Sequence, residues 1–346
     1  MTKIGLCGHY SANENALNGQ TVKTKILTEA LVERFGEERV MYCDTHDCRK
    51  HPFRFLRHCL KMFRACDDIV MLPAQAALPV LTKIFGFLNR FYHRRLHYYV
   101  VGGWLCEALE QHKGLTERLQ KFKGVYVELM SMERDLQERN FSNVFFVPKF
   151  RKLNVVAEED MPKEIESPLK LCLFSRVMKE KGVEDAAEAV QHANEALGYT
   201  AYTLDIYGQV DVHYTERFEE VKKSFSDEVR YAGVVDFRES TAVLKNYFAL
   251  LFPTYYEGEG YANTVVDAFA AGLPVIATDW KYNAEVIRDG EDGIIYSLHD
   301  GEALLNILLR VAKSPEEVFE MKTKARERAF DYDPQNAIKA LVENLK

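Results

Sequence analysis

Residues 255–296 constrain the fold of this chain most strongly, because a glycine-bearing loop and a helix alternate there with buried strands. An apolar run at 250–252 precedes the loop at 257–260, and an amphipathic helical pattern follows that loop. Gly272 occupies the position of a helix C-terminus, and 274–277 has the composition of the next buried strand. This order of elements is typical of a parallel α/β sheet.

The loop at 257–260 predicts an anion-binding site, because it leads directly into the amino terminus of a helix. Backbone N–H groups point out of a helix at that end, and the helix dipole adds partial positive charge there. Glu259 lies before the first turn, and Asp267 lies two turns along the helix. Their carboxylates could therefore contact different parts of one ligand, for instance a sugar and a ribose.

The rest of the chain repeats the alternation of strand and helix, which predicts parallel sheets. Residues 151–168 interrupt this alternation: they are polar, contain two prolines and a run of acidic residues, and predict a linker between two domains. A helix is expected at 183–197. Further strands are expected at 4–8, 40–43, 69–72, 98–101, 124–127, 144–147, 169–174, 203–208 and 229–233.

Composition agrees with two domains of ordinary size, since the chain has 346 residues and a hydrophobic content of 47%. There is no apolar run long enough to span a bilayer, and the first residues enter a strand, so neither a spanning helix nor a signal peptide is expected. The seven cysteines include no CxxC pair. Cys43 and Cys48 flank Asp44, His46 and Asp47, but this spacing fits no common zinc pattern, and free thiols in a reducing cytosol are expected instead.

Charge is unevenly distributed along the chain: residues 1–160 carry an excess of Lys and Arg, and the remainder an excess of Asp and Glu. Basic residues alternate with aromatic residues in two stretches, 49–64 and 83–97. Such stretches suit peripheral contact with an anionic membrane or with a lipid-pyrophosphate acceptor. Two ordinary amphipathic helices with solvated charged faces explain them equally well. Nucleic acid is not expected, because no recognised binding motif accompanies the basic residues.

Two further loops contain candidate phosphate contacts. Arg176 and Lys181 follow the strand expected at 169–174, and cations at this spacing could hold a diphosphate. From the spacing alone, solvated loop charges would be the preferred interpretation. Gly19 lies in the loop after the first strand, where open α/β sheets bind ligands, and could let the backbone approach a phosphate.

Residues 259–268 and 271–276 resemble the donor-site signature of the family-four retaining glycosyltransferases. Residues 175–182 are similar to that family's Gly-Arg-Leu…Lys-Gly signature, with Ser175 in place of the first glycine. Residues 18–24 most resemble bacterial members that build polysaccharides. Asp267 stands where the family has Glu, and its shorter side chain could weaken or reroute the ribose contact.

The resemblance implies an α/β fold of the GT-B type, with two Rossmann-like domains whose parallel sheets face a central cleft. The N-terminal, acceptor-side domain would comprise 1–150 and a returning C-terminal helix, 334–346. Residues 151–168 would link it to a nucleotide-sugar donor domain at 169–333. The Asp-x-Asp pattern at 331–333 resembles one used by metal-dependent transferases of another fold, but before Pro334 it is expected to cap a helix.

The resemblance also assigns roles to residues. Arg176 and Lys181 would hold the donor diphosphate, and Glu259 would contact the donor sugar; these three form the expected catalytic set. The expected donor-binding residues are Gly19, Gly208, Gly260, Tyr261, Ala262, Asn263, Thr264 and Asp267. No metal and no cofactor are expected, only a UDP- or GDP-linked sugar.

The predicted function is that of a cytoplasmic, metal-independent, retaining hexosyltransferase. It would move a sugar to a glycolipid or oligosaccharide acceptor, lipid-linked or part of a surface polysaccharide, at the inner membrane face. Two alternatives stay open at this point. One is a GT-B sugar-nucleotide epimerase or hydrolase, and the other is a non-catalytic nucleotide-sugar-binding partner of another transferase.

Overall fold

The computed structural model describes residues 3–10, 19–46, 48, 50–236, 238–298 and 300–345. The chain divides into two compact units. The first consists of Met1–Lys152 and Tyr332–Lys346, and the second of Leu153–Asp331. Each contains a parallel sheet with helices, so the α/β class with two Rossmann-like domains is confirmed. No helix among the described residues has the length and apolar character needed to cross a membrane.

Six strands form the sheet of the first unit within its described residues, in the order β2-β1-β3-β4-β5-β6, all parallel. They are almost continuously apolar because helices cover both faces of the sheet. The strands are β1 (Ile4–Gly8), β2 (Val40–Asp44), β3 (Asp68–Leu72), β4 (Arg95–Tyr99), β5 (Gly124–Val127) and β6 (Val144–Phe146). The helices are α1 (Gly19–Phe35), α2 (Pro52–Ala65), α3 (Leu78–Tyr92), α4 (Leu105–Gln111), α5 (Leu115–Leu119) and α6 (Met130–Glu138), with 3-10 turns at Glu37–Arg39 and Gln75–Ala77.

The strand expected at 98–101 begins earlier in the structure, at Arg95. The basic stretch 83–97 is correspondingly not one amphipathic helix, since α3 ends at Tyr92. Arg95 donates two hydrogen bonds to the buried carboxylate of Asp68, at 2.7 and 2.6 Å, and His97 contacts the same carboxylate at 3.1 Å. These polar residues fit a buried strand because the guanidinium of Arg95 neutralises Asp68 and the ring of His97 lies within hydrogen-bonding distance of it, a pairing that sequence periodicity does not reveal.

Six parallel strands also form the sheet of the second unit within its described residues, in the order β12-β11-β10-β7-β8-β9. The strands are β7 (Leu169–Phe174), β8 (Tyr202–Tyr207), β9 (Val229–Gly233), β10 (Ala249–Phe252), β11 (Val275–Thr278) and β12 (Gly293–Tyr296). The helices are α7 (Val183–Leu197), α8 (Thr215–Lys222), α9 (Ser240–Leu244), α10 (Asn263–Ala270), α11 (Asn283–Val286), α12 (Ala303–Lys313) and α13 (Glu316–Ala329), with 3-10 turns at Glu158–Asp160 and Lys179–Lys181.

Most of the segment expected to act as a linker packs on the second unit. Val156 is buried, and its N–H donates to the carbonyl of Ala270 at 2.8 Å. The guanidinium of Arg326 donates to the carbonyl of Val156 at 2.7 Å. Both backbone polar groups of Val156 are therefore paired, one with the backbone of α10 and one with a side chain of α13.

The C-terminal segment belongs to the first unit. After a 3-10 turn at Phe330–Tyr332 it forms two short helices, α14 (Pro334–Ala337) and α15 (Lys339–Asn344). Asp333 caps α14, since its carboxylate accepts the N–H of Gln335 at 2.9 Å. Ile338 and Leu341 are fully buried in the core that contains β1 and α1.

Candidate functional site

The candidate site lies at the carboxyl edge of the second sheet, where the direction of strand order reverses. β7 pairs with β8 on one side and with β10 on the other. The chain runs from β7 outward through β8 and β9, and from β10 outward through β11 and β12. Because such crossovers are right-handed, α7 and α10 leave the sheet on opposite faces and open a crevice between them. This is the place where open α/β sheets bind ligands.

Two short loops, after β7 and after β10, are held against each other at this crevice. The N–H of Tyr255 donates to the carbonyl of Glu180 at 2.8 Å. Gly182 ends the first loop with a φ of 72°, and a Cβ atom at this position would overlap the carbonyl oxygen of Pro253. Only glycine tolerates both the left-handed backbone and the close approach, so the sequence itself fixes how these loops meet.

Lys181 and Glu259, one from each loop, form an ion pair at the centre of the crevice. Their side chains are only 11% and 9% exposed. The buried hydroxyl of Thr254 donates to the same carboxylate at 2.9 Å. The ammonium group of Lys181 also lies 5.2 Å from the ring centroid of Tyr256. The structure thus joins two residues that the sequence analysis assigned to different parts of the donor.

Arg176 is much more exposed than Lys181, since 58% of its side chain is accessible to solvent. Its guanidinium lies 3.7 Å from the carboxylate of Asp211, which is outside hydrogen-bonding distance. The backbone on either side is fixed, since the N–H of Ser175 donates to the carbonyl of Tyr207 at 3.1 Å and the N–H of Val177 donates to the carbonyl of Gln209 at 2.9 Å. An exposed pair at this separation holds the side chain weakly, so an arriving anion can compete for the guanidinium.

The amino terminus of α10 points at the same crevice. Ala262 precedes the helix and offers no side-chain acceptor to the N–H groups of the first turn. The hydroxyl of Thr264 donates to the carbonyl of Phe174 at 2.6 Å, which anchors this turn to the end of β7. A Cβ atom built on Gly260 would meet nothing within 4 Å, so there is open space beside the loop. A helix amino terminus with room in front of it suits a phosphate group.

Gly208 directly follows β8, beside the loop after β7. Its φ is 137°, and a Cβ atom there would overlap the carbonyl oxygen of Ser175. The hydroxyl of Tyr231 donates to the carbonyl of Gly208 at 2.9 Å. The requirement for glycine therefore has a packing reason, namely the close approach of the two strand ends. Its expected contact with the donor stays a prediction.

Asp267 lies in the second turn of α10 and is only 6% exposed. This exposure is close to the 9% of the Glu259 side chain. The expected ribose contact of Asp267 stays a prediction, as do the donor contacts of Tyr261 and Asn263.

Sequence reasoning missed Thr254 and Asp211. Thr254 could have been found, because a polar residue directly after an apolar strand is expected at the carboxyl edge of a parallel sheet. Its hydroxyl orients Glu259, and its carbonyl accepts the hydroxyl of Thr278 at 2.6 Å. Asp211 gave no signal in the sequence, since its contact with Arg176 depends on the path of the loop after β8.

The first unit contributes candidates of its own. Gly19 begins α1, and the loop at 11–18 before it lies outside the described residues. The structure places a ring nitrogen of His46 3.1 Å from a ring nitrogen of His9. The other ring nitrogen of His9 lies 2.8 Å from the hydroxyl of Thr21.

The cysteines are all free thiols. Asp47, part of the metal set weighed for Cys43 and Cys48, lies outside the described residues. Among the residues that the structure does describe, no three His, Cys, Asp or Glu side chains are arranged to hold a metal ion. The predicted independence from metals remains to be tested.

Taken together, the crevice combines a largely buried lysine, an exposed guanidinium and a helix amino terminus. These groups stabilise negative charge, and preorganised donors of this kind do so more strongly than water. The Glu259 carboxylate, which lies beside Lys181, can accept hydrogen bonds from hydroxyl groups. The arrangement suits a ligand with an anionic part and a polyol part.

Comparison with known proteins agrees with this chemistry. Residues 168–314 match the protein family described as "Glycosyl transferases group 1", a match that spans less than half of the chain. The first unit lies outside this match.

Two curated relatives align over 53% of the chain. One is an uncharacterised glycosyltransferase of Methanocaldococcus jannaschii, which is 22% identical over 191 residues. The other is the amylovoran biosynthesis glycosyltransferase AmsK of Erwinia amylovora, which is 25% identical over 187 residues. The alignments cover 46% of each relative, so the chain spans about half the length of the curated relatives that it matches.

Solved structures resemble the whole chain. The Anabaena protein HepE, in a crystal structure with UDP and glucose, aligns over 100% of this chain and 99% of its own. The TM-score is 0.64 at 14% sequence identity, a likeness that concerns the fold alone. The fold is GT-B.

Proposed function

We propose that this chain is a retaining glycosyltransferase that moves a hexose from a nucleotide-sugar to a glycolipid or oligosaccharide acceptor. The observation that carries the proposal is the meeting of the Lys181–Glu259 ion pair, Arg176 and the amino terminus of α10 at one crevice. The glycosyltransferase family match over 168–314, which contains this crevice, supports the same reaction class.

For the donor we propose a UDP-linked sugar, with a GDP-linked sugar as the alternative to be tested. The solved structure of HepE, which is similar in fold, contains UDP and glucose. For the acceptor we propose a lipid-linked or surface-polysaccharide intermediate, in keeping with the amylovoran biosynthesis named for the Erwinia relative.

The proposed chemistry follows from the charges of the crevice. Breakage of the bond between the anomeric carbon and the diphosphate oxygen leaves negative charge on the diphosphate. Arg176, Lys181 and the N–H groups at 261–264 would stabilise this charge, at roughly 3–4 kcal/mol per preorganised donor. The acceptor oxygen would bond to the anomeric carbon on the face that the diphosphate leaves, and its proton would pass to a departing phosphate oxygen. This route gives retention and requires no metal.

The ion pair adds a specific step to donor binding. Lys181 is already paired with Glu259, so a diphosphate would share this ammonium group, which has three N–H donors, with the carboxylate. Glu259, oriented by Thr254, would keep free lone pairs for hydroxyl groups of the sugar. In this proposal the pair sets the distance between the diphosphate and the sugar before the donor arrives.

We also propose peripheral contact with an anionic membrane through 49–64 and 83–97, on the cytoplasmic side. Phe53 in α2 and Phe87 and Phe91 in α3 are exposed aromatic residues next to basic residues. Aromatic rings beside cations suit the boundary between headgroups and acyl chains.

The test is turnover by the purified full-length chain with UDP- and GDP-linked hexoses and a panel of lipid-linked acceptors, with the product's anomeric configuration read by NMR. A new glycosidic bond of the donor's configuration is expected. Arg176→Ala and Lys181→Ala should abolish transfer, whereas Lys179→Ala, a change of the same charge in the same loop, should not. Glu259→Gln should reduce turnover far more than UDP affinity.

Three results would contradict the proposal. A protein that binds nucleotide-sugar but never forms a glycosidic bond with any acceptor would be a non-catalytic partner. Release of free sugar or an epimer without acceptor would indicate a hydrolase or an epimerase. Inverted configuration would reject the retaining mechanism and leave the transferase class standing.

A further inference from the structure

A groove of about 450 Å³ lies on the first unit, away from the carboxyl edge of its sheet. One wall is a face of α3, where Lys83, Gly86, Phe87 and Arg90 recur at the spacing of successive helical turns. Residues near α5 and the starts of β4 and β5 form the rest of the lining, including Leu96, Arg118, Lys121 and Phe122.

The lining of the groove is strongly basic. Four of its lining residues are Lys or Arg, and none is Asp or Glu. Within the described residues, Lys83, Arg90, Arg118 and Lys121 form no ion pair with a carboxylate. Arg118 donates to the hydroxyl of Thr82 at 3.2 Å, which fixes its side chain in the groove. Like charges gathered in this way repel one another, so an anion that enters gains their combined attraction.

The groove also has apolar surface. Phe87 belongs to the groove, and the ring of the neighbouring Phe91 lies 5.5 Å from it, centroid to centroid. Both rings are largely exposed, at 59% and 68%. An inorganic anion gains nothing from these rings, whereas a ligand that combines an anionic head with hydrocarbon chains can use both the cations and the rings.

We infer that this groove binds the phosphate headgroup of an anionic membrane phospholipid, with the acyl chains passing over Phe87 and Phe91. The inference rests on the proposed function only for its premise that the chain works at a membrane. It replaces a general attraction between basic residues and the membrane by binding at one defined site. It also adds Arg118 and Lys121, which lie outside both basic stretches of the sequence.

Gly86 allows the site to be tested without changing charge. A Cβ atom built at Gly86 would meet nothing within 4 Å, so a larger side chain there points into open space. Gly86→Gln should therefore fold normally and even favour the helix, while it fills part of the groove. Gln adds no charge and little apolar surface, so a loss of lipid binding would report the lost volume.

The experiment measures partition of the full-length chain onto vesicles of phosphatidylcholine, with and without phosphatidylglycerol. Lys83→Gln/Lys121→Gln removes two exposed groove cations and should weaken binding to the anionic vesicles about 30-fold. The control Lys113→Gln/Lys339→Gln changes the net charge equally, on exposed residues of the same unit outside the groove. It should weaken binding less than about threefold, because exposed charges act only within a Debye length. Gly86→Gln should also weaken binding.

Several outcomes would overturn the inference. If both double lysine variants lost the same vesicle affinity, or if Gly86→Gln bound the vesicles like the wild type, binding would come from the overall positive charge of the surface and not from a defined site. Competition by inorganic phosphate as strong as by a soluble short-chain phosphatidylglycerol would reject the lipid part. Tighter binding to an oligonucleotide than to the vesicles would reject the ligand class.

A parallel thermal-shift assay with UDP separates this inference from the proposed function. The groove variants should keep the shift of the wild type, since the crevice belongs to the other unit. A wild type that responds to UDP and ignores anionic vesicles would remove the groove inference alone. One that binds the vesicles at the groove but never turns over a donor would remove only the proposed function.

Discussion

At the scale of single residues, Lys181 and Glu259 depend on each other, because each neutralises the charge of the other and both side chains are mostly buried. Removing one partner leaves the other charge desolvated and unpaired, whereas removing both removes the penalty as well. This difference between single and double removal distinguishes the pair from surface ion pairs, which contribute little to stability.

A double-mutant cycle tests this coupling. Lys181→Met and Glu259→Gln should each lower the free energy of unfolding by about 3 kcal/mol, and the double variant by clearly less than the sum. Urea unfolding of the four proteins measures the interaction energy. Strictly additive losses would mean that the two residues do not depend on each other.

Asp292 predicts a pH dependence of stability. It is buried, and burial raises the pKa of its carboxyl from the ordinary 3.8 to about 6, although the N–H of Arg288 donates to it at 2.8 Å. A raised pKa means that the folded state takes up the proton first. The resulting stability is therefore fully present below pH 3.8 and is lost as the pH rises through 6.

Relative to Asp292→Asn, the wild type should gain about 2–3 kcal/mol of unfolding free energy between pH 7 and pH 4. The asparagine variant cannot titrate, so the difference cancels the effects of other carboxylates. Urea unfolding at intervals of pH measures it. A difference that stays flat over this range would contradict the burial argument.

At the scale of elements, α7 shows why glycine matters at one end of a helix more than at the other. Gly182 before the helix and Gly198 after it both have left-handed backbone, with φ of 72° and 76°. A Cβ atom on Gly198 meets nothing within 4 Å, whereas one on Gly182 overlaps Pro253 in the loop after β10. Only Gly182 therefore connects the helix to the site.

Gly198→Ala should cost about 1 kcal/mol of stability, the ordinary penalty for an alanine in this conformation, and leave UDP affinity unchanged. Gly182→Ala should cost more and weaken UDP binding, since the loops that carry Lys181 and Glu259 must separate. Calorimetric titration with UDP compares the two variants. Equal UDP affinities would show that the contact with Pro253 does not shape the site.

Elements differ in how well the sequence predicts them, for physical reasons. The helix at 183–197 is confirmed at both ends, because glycines mark its start and its end. The predicted start of β4 was wrong, because Arg95 and His97 are residue types of the protein surface and the sequence does not reveal their contact with the buried Asp68. The pairing of Lys181 with Glu259 was equally invisible, since a motif records the residues and not which loops meet. By contrast, the open start of α10 follows from Ala262 and Gly260 alone.

At the scale of the whole molecule, the chain leaves its first unit, builds the second and returns. Ile338 at the return is fully buried, and it packs in the same core as Ile4 and Leu6 of β1. The two ends of the chain therefore stabilise one unit, and the stability of this unit depends on residues more than 300 positions apart.

Ile338→Ala should lower the stability of the first unit by about 2–4 kcal/mol, the cost of a cavity in a packed core. Lys339→Ala, at the exposed neighbouring position, should change it little. UDP affinity should survive both changes, since the crevice belongs to the second unit. Chemical unfolding with and without UDP measures both effects. Loss of UDP binding in Ile338→Ala would contradict the assignment of UDP binding to the second unit.

The most direct measurement is calorimetric titration of UDP into the wild type, Lys181→Ala and Lys179→Ala, with GDP titrated into the wild type in parallel. If the carboxyl edge of the second sheet binds the nucleotide diphosphate, the wild type and Lys179→Ala should bind UDP with equal affinity. Lys181→Ala should bind it about 10- to 100-fold more weakly, the value of one hydrogen bond from a charged group. Equal affinity in all three proteins, or no binding of UDP or GDP by the wild type, would contradict the account.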